Sequence, residues 1–222
     1  MNLFTIDYGN SNPHVGIFNQ DDLLEVKKLD ESIIGKENTI HCSVVKETIL
    51  PGLDSKEFFK GERFLDMPVH YTNTVGIDRL VLAYLFYNHE RTIPTLIIDA
   101  GTFTTIDILS DKGFEGGLII PGVETYLNSF ERASKLPVLE KEKMKEATYN
   151  FAARSTEEAI LNGYVCLLKS MIDEASMNHA PKQVILTGGD SGLLSSHIPQ
   201  AKTNPHFIHY ALKKVFENKD LH

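Results

Sequence analysis

Three short clusters in this chain combine carboxylates, glycines and hydroxyls in ways suited to phosphate chemistry. The first is Asp7-Tyr8-Gly9-Asn10-Ser11-Asn12, followed by Pro13 and His14. Glycine lets a backbone come close to a phosphate because it has no Cβ. Asn and Ser add hydrogen bonds without adding negative charge. A carboxylate beside phosphates is repulsive unless magnesium or its water shell lies between them, so Asp7 reads as a magnesium anchor acting through water. Taken alone, the same residue types describe a hairpin turn first. The second cluster, Asp99-Ala100-Gly101-Thr102-Phe103-Thr104-Thr105, repeats the arrangement and adds three hydroxyls. Thr102 can bind a phosphate oxygen and Asp99 can hold a cation. Two copies tip the balance from turns to phosphate binding. The third cluster is Gly76-Ile77-Asp78-Arg79. A hydroxyl attacking a γ-phosphoryl group wants a carboxylate within hydrogen-bond reach, and a substrate carboxylate wants an arginine fork. An Asp at a helix start is also simply a favourable charge on the helix dipole, and by residue types alone that reading stands ahead.

Two further glycine pairs belong with these. Gly116-Gly117 and Pro121-Gly122 bracket an apolar run and permit close backbone approach. Thr187-Gly188-Gly189-Asp190 suits either an adenosine contact or the turn into a helix. The nine histidines, His14 among them, show no H-x-x-x-H or H-E-x-x-H spacing. A P-loop and a G-x-S-x-G elbow are both missing from the sequence. Cys42 and Cys166 form no C-x-x-C pair and read as buried thiols.

The elements that must position these residues follow from apolar patterning. Residues 3–6, 15–18 and 23–29 read as an antiparallel meander whose first turn carries the Asp7 cluster. Residues 39–45 form a further strand, 55–64 a short helix and 77–89 a clear helix with a broad apolar face. At Pro94 the pattern restarts. Residues 95–98 are a continuous apolar strand, followed by strands over 104–109 and 116–122. Helices are expected over 123–133, 155–178 and 209–218, with Ser155 and Glu158 fitting a capping box. Residues 140–146 read as a charged, solvated stretch and 184–186 as a strand. Each half thus opens with a strand, an Asp-x-Gly cluster and a second strand. The expectation is an α/β protein of two lobes, residues 1–93 and 94–222, each a mixed sheet flanked by helices, with a cleft between them and the last helix packing back on the first lobe.

The chain has 222 residues, 42% hydrophobic and 23% charged, enough for one large domain or two small ones. A net charge of −8 argues against nucleic-acid binding. The first residues lack a basic stretch followed by a long apolar run, and no apolar run approaches the ~20 residues of a membrane span. A cytoplasmic protein with no membrane partner is expected.

The motifs resemble, in this order, those of the type III pantothenate kinases, within the actin and sugar-kinase superfamily of ribonuclease H-like lobes. The pattern D-x-G-N-[ST], G-x-D-R, D-x-G-T-x-x-T-x-D, G-G-x-I-x-P-G, S-T-x-x-A-I-x-x-G, T-G-G is met by residues 7–11, 76–79, 99–107, 116–122, 155–163 and 187–189. Six matches spread along the chain outweigh the dipole reading of Asp78. The resemblance implies phosphorylation of pantothenate by ATP with magnesium, the first step of coenzyme A synthesis. It implies Asp78 as general base, and Gly76, Ile77, Asp78, Arg79, Thr156 and Tyr71 as pantothenate contacts. It implies ATP held by Asp7, Tyr8, Gly9, Asn10, Ser11, Asn12, Pro13, His14 and Thr102. A monovalent cation (potassium or ammonium) at Asp99 and a homodimer are implied as well. Phe103 stands where a small residue is usual, and His14 where many relatives carry Lys. Alternatives within the same resemblance are a non-catalytic accessory regulator and a kinase for another small hydroxyl acceptor.

Overall fold

The computed structural model describes residues 2–9, 12–30, 38–45, 50–131 and 133–220. The chain begins with β1 (Asn2–Tyr8), β2 (His14–Asn19) and β3 (Asp22–Lys28), then β4 (Thr39–Ser43) and β5 (Leu53–Asp54). The helix expected over 55–64 shrinks to a single 3-10 turn, Ser55–Phe58. Gly61 and Leu65 both adopt positive φ, which a helix does not allow, and the chain folds into a small hairpin of β6 (Arg63–Phe64) and β7 (Met67–Pro68). Helix α1 (Ile77–Phe86) ends earlier than the apolar pattern suggests, because Tyr87 is extended. There follow β8 (Thr95–Ala100), β9 (Phe103–Ser110), β10 (Gly113–Pro121) and α2 (Val123–Asn128). Helix α2 is shorter than expected: beyond it the bonds tighten to i→i−3, from Phe130 to Leu127 and from Glu131 to Asn128. Then come α3 (Thr156–His179), β11 (Gln183–Thr187), α4 (Ser191–Leu194), β12 (Ala201–Thr203) and α5 (Phe207–Glu217).

One compact unit comprises residues 1–93, 109–116 and 206–222. Its sheet runs β3-β2-β1-β4-β5, antiparallel on the β3 side of β1 and parallel on the β4 side. Helix α5 presents Phe207, Ile208, Ala211, Leu212 and Val215 as one buried stripe. Lys214 Nζ donates to the carbonyls of Tyr84, Leu85 and Tyr87 at 2.9, 3.2 and 2.6 Å. These carbonyls lie at the helix C-terminus, where intrahelical partners run short, so α5 caps the helix whose other end carries Asp78 and Arg79.

The other unit comprises residues 94–108 and 117–205. Its sheet runs β10-β9-β8-β11-β12, with β8, β11 and β12 parallel. Leu96, Ile98, Ile106, Tyr164, Leu168 and Leu186 are among its core. The start of α3 is capped as expected: Glu158 N–H donates to Ser155 Oγ (3.1 Å) and Glu158 Oε2 accepts from Arg154 N–H (2.7 Å). Residues 140–146 are not merely solvated. Lys141–Glu146 form a 3-10 helix with Met144 fully buried, held by Lys141 to Asp190 (3.1 Å) and Lys143 to Glu157 (2.5 Å). The two sheets share one strand order, each an antiparallel meander beside a parallel pair.

Candidate active site

In the first unit Asp7 lies near the end of β1, beside His14 of β2 and Cys42 of β4. The Cys42 thiol donates to Asp7 Oδ1 at 3.4 Å, and His14 Nε2 lies 3.7 Å from Oδ2, an ion pair only when that ring is protonated. Burial pushes the Asp7 carboxyl up from its ordinary range, opposed by His14 and by the thiol bond. Tyr8 packs on Ile6, Val15 and Leu50. Gly9 has open space where a Cβ would stand. Asn10 and Ser11 lie outside the described residues. Asn12 is exposed, and the Pro13 carbonyl accepts from Leu29 N–H at 3.0 Å.

The spacing of Gly76 and Asp78 has a steric cause. Asp78 folds back on the first turn of α1, where its Oδ1 accepts from Arg79 N–H at 2.9 Å. A Cβ on Gly76 would stand 2.4 Å from that same Oδ1. Glycine is therefore what lets the carboxylate curl over the helix N-terminus. Arg79 is buried, with Cζ 5.3 Å from the Tyr71 ring centre and 5.6 Å from that of Phe114. The Cys42 thiol contacts Asp7 and feels the charge of Asp78. Burial raises its pKa well above normal, and the negative charges of both Asp7 and Asp78 add to the rise. Both carboxylates therefore lie within electrostatic reach of one sulfur.

In the second unit Asp99, near the end of β8, pairs in register with Thr187 of β11. Gly188 has φ +89°, and a Cβ there would stand 2.4 Å from Asp99 Oδ1 and 2.5 Å from the Ala100 carbonyl. The space that Gly188 leaves is thus already used by Asp99, whereas Gly189 faces open space. Thr102 is exposed at the β8–β9 turn. Its carbonyl accepts from Gly122 N–H (3.0 Å) and Thr125 Oγ1 (2.7 Å). A Cβ on Gly122 would stand 1.9 Å from the Gly101 carbonyl, so the second glycine pair serves to back the Asp99 turn. Thr156 is exposed at the first position of α3. A cavity of about 260 Å³ nearby is lined by Glu146, Glu157 and Glu158 with Ser155, Leu161 and Asn162. Three carboxyl groups make it a poor seat for an anionic ligand.

Among the described residues no three His, Cys, Asp or Glu side chains gather as a metal cage. Magnesium in kinases needs none, since it binds through one or two carboxylates plus substrate phosphates and water. A single carboxylate at Asp7 fits that donor set. Sequence reasoning passed over Cys42 as an ordinary buried thiol and did not single out Phe114, which lies in β10 two residues before the expected strand. Neither carries a local signal, because each meets its partners across elements far apart in the chain.

The family model of type III pantothenate kinases matches residues 44–178. The chain is 32% identical over 231 residues to a type III pantothenate kinase of Methylacidiphilum infernorum, covering 88% of this chain and 80% of that one. It is 31% identical over 234 residues to another, of Desulforapulum autotrophicum, covering 87% of each. Among solved structures, a conserved Baf family transcriptional activator from Campylobacter jejuni superimposes with TM-score 0.70 at 21% identity, over 98% of this chain and all of that one, a likeness of fold. With two helix-flanked sheets of equal strand order and six motifs in sequence, this chain belongs to the type III pantothenate kinase family.

Proposed function

We propose that this chain, as an ATP-dependent pantothenate kinase, uses Asp78 as the base that takes the proton of the acceptor hydroxyl while the γ-phosphoryl group of ATP passes to it, giving 4'-phosphopantothenate. The observation that carries this reading is the geometry of Gly76 and Asp78. One carboxylate oxygen is fixed on the Arg79 amide, which holds the carboxylate at the start of α1. In-line transfer leaves a protein little covalent work, so holding two substrates and offsetting charge is most of the task.

In this reading Asp7 anchors magnesium through water, and Tyr8, Gly9, Asn10, Ser11, Asn12, Pro13, His14 and Thr102 hold the nucleotide. Magnesium supplies charge neutralisation of the phosphates. Asp99 takes a monovalent cation, potassium or ammonium. Tyr71, Gly76, Ile77, Arg79 and Thr156 hold pantothenate, with the Arg79 guanidinium answering its carboxylate. The protein works in the cytoplasm as a homodimer, apart from nucleic acid and membrane.

The test is ADP release with pantothenate and with other hydroxyl acceptors, in potassium, ammonium and sodium salts. ADP forms with pantothenate, faster in potassium or ammonium. Turnover of a different acceptor, with none of pantothenate, would overturn the substrate assignment. Equal rates in all three salts would remove the cation role.

A further inference from the structure

We infer that Phe114, at the β9–β10 hairpin, is a positioning residue for Arg79 and so for the acceptor's carboxylate, an inference that rests on the kinase reading above. Phe114 stands thirty-five residues after Arg79 in the sequence, yet the hairpin tip over 109–116 belongs to the same compact unit as α1. The tip is sewn to the segment before α1. His70 N–H donates to the Phe114 carbonyl at 2.8 Å, and Val69 bridges Phe114 in parallel fashion.

The three groups form a nearly equal-sided triangle. Arg79 Cζ is 5.3 Å from the Tyr71 ring centre and 5.6 Å from that of Phe114, and the ring centres are 6.2 Å apart with planes tilted by 59°. Both rings therefore stand to one side of the cation, as two walls of a corner rather than as covers on its opposite faces. A contact between a cation and aromatic faces uses none of the five guanidinium N–H donors. The corner fixes where the guanidinium sits. Phe114 is fully buried, so its ring is held by packing, whereas Tyr71 is more than one-third exposed. Of the two walls, Phe114 is the one set by the core.

Gly116 completes the device. Its φ is +97°, and a Cβ would stand 2.8 Å from Tyr71 Cδ2 and 3.2 Å from Cε2. Only glycine at this place lets the tyrosine ring lie where it does. Phe114 and Gly116 thus control the two walls from one strand, β10.

The experiment compares wild type, Phe114→Leu and Gly116→Ala by steady-state kinetics with ATP and pantothenate varied in turn, beside thermal unfolding and calorimetric binding of pantothenate. Leucine keeps an apolar filler but removes the ring. Expected is a rise in KM for pantothenate of roughly five- to tenfold in each variant, weaker pantothenate binding to match, and a KM for ATP within about twofold of wild type. A general loss of packing moves both KM values and kcat together. Unchanged pantothenate KM and binding in Phe114→Leu, with wild type active, overturns the inference alone, as does a parallel loss for both substrates. If Phe114→Leu does not fold, Phe114→Met, which also removes the ring and keeps an apolar filler, decides in its place; Gly116→Ala tests the Tyr71 wall alone. Wild type that neither binds nor phosphorylates pantothenate removes the kinase reading, and this inference with it.

Discussion

Asp7 and Asp99 occupy matching places in two sheets of equal strand order, yet their surroundings differ. Asp7 pairs in register with Cys42, and the next residue on that strand is Ser43. Asp99 pairs with Thr187, and the next residue there is Gly188. The first carboxylate is hemmed in by side chains, a thiol at 3.4 Å and an imidazole at 3.7 Å. The second lies against Gly188, where a Cβ would stand 2.4 Å from its Oδ1. A thiol is a weak donor, so burial prevails and the Asp7 carboxyl ionises less readily than usual. Such a group gains most when a cation arrives. Equal topology has been fitted with two kinds of acidic site, one tuned by side chains and one shaped by glycine.

The contrast breaks most sharply at the glycine. Gly188→Ala places a Cβ against a carbonyl and a carboxylate at positive φ, and a loss of about 3 kcal/mol or more is expected in urea unfolding. Ser43→Ala, at the matching place, removes the Ser43–Val45 turn bonds and is expected to cost roughly 1 kcal/mol or less. Equal losses would mean that the two strand ends are not differently built.

Asp7→Asn sharpens the other half of the comparison. If Asp7 anchors magnesium as proposed, turnover should fall by about 100-fold. The ligand-free protein should melt a few degrees higher. The sign follows from linkage. A carboxyl whose folded pKa is raised favours the fold when protonated, and that favour is lost as pH rises through the raised value. At neutral pH the ionised group is therefore a cost that Asn removes. A lower melting temperature in differential scanning calorimetry would contradict the burial assigned to Asp7.

A smaller effect lies behind the first sheet. His209 is fully buried, bonded through Nδ1 to Thr5 Oγ1 at 2.8 Å, and its ring centre lies 4.9 Å from that of His14. Burial, with the neighbouring His14 and His206, pulls its pKa down from 6.5 to about 3. The unfolded chain therefore binds a proton that the folded one refuses. Stability from this group is complete above pH 6.5 and declines as pH falls toward 3, by roughly 1.4 kcal/mol per unit. His209→Gln should flatten that slope in urea titrations between pH 7 and 5. An unaltered slope would place the acid sensitivity elsewhere.

What the sequence revealed depended on range. The β1–β3 meander and the β8–β9 hairpin were legible because alternating apolar residues and turn chemistry are local signals. Gly76 with Asp78 was legible as a pair, since both lie in one helical turn, although the steric reason is visible only in three dimensions. The turn over 55–64 was misread because Leu65, an apolar residue at positive φ, gives no warning in its type. Contacts between Asp7 and Cys42, between Asp99 and Gly188, and between Arg79 and Phe114 join strands or helices far apart in the chain, and parallel pairing leaves no mark on periodicity. The two glycines of Thr187-Gly188-Gly189 look alike in sequence, yet one is filled by a carboxylate and the other faces open space.

The most direct measurement is pantothenate phosphorylation by Asp78→Asn beside wild type, with thermal unfolding and nucleotide binding as controls. An asparagine oxygen can still accept the Arg79 amide, so the fold and nucleotide affinity should survive. The rate should fall by at least about 100-fold, the usual loss for a general base. A variant that folds, binds ATP and phosphorylates pantothenate at the wild-type rate would contradict the role given to Asp78.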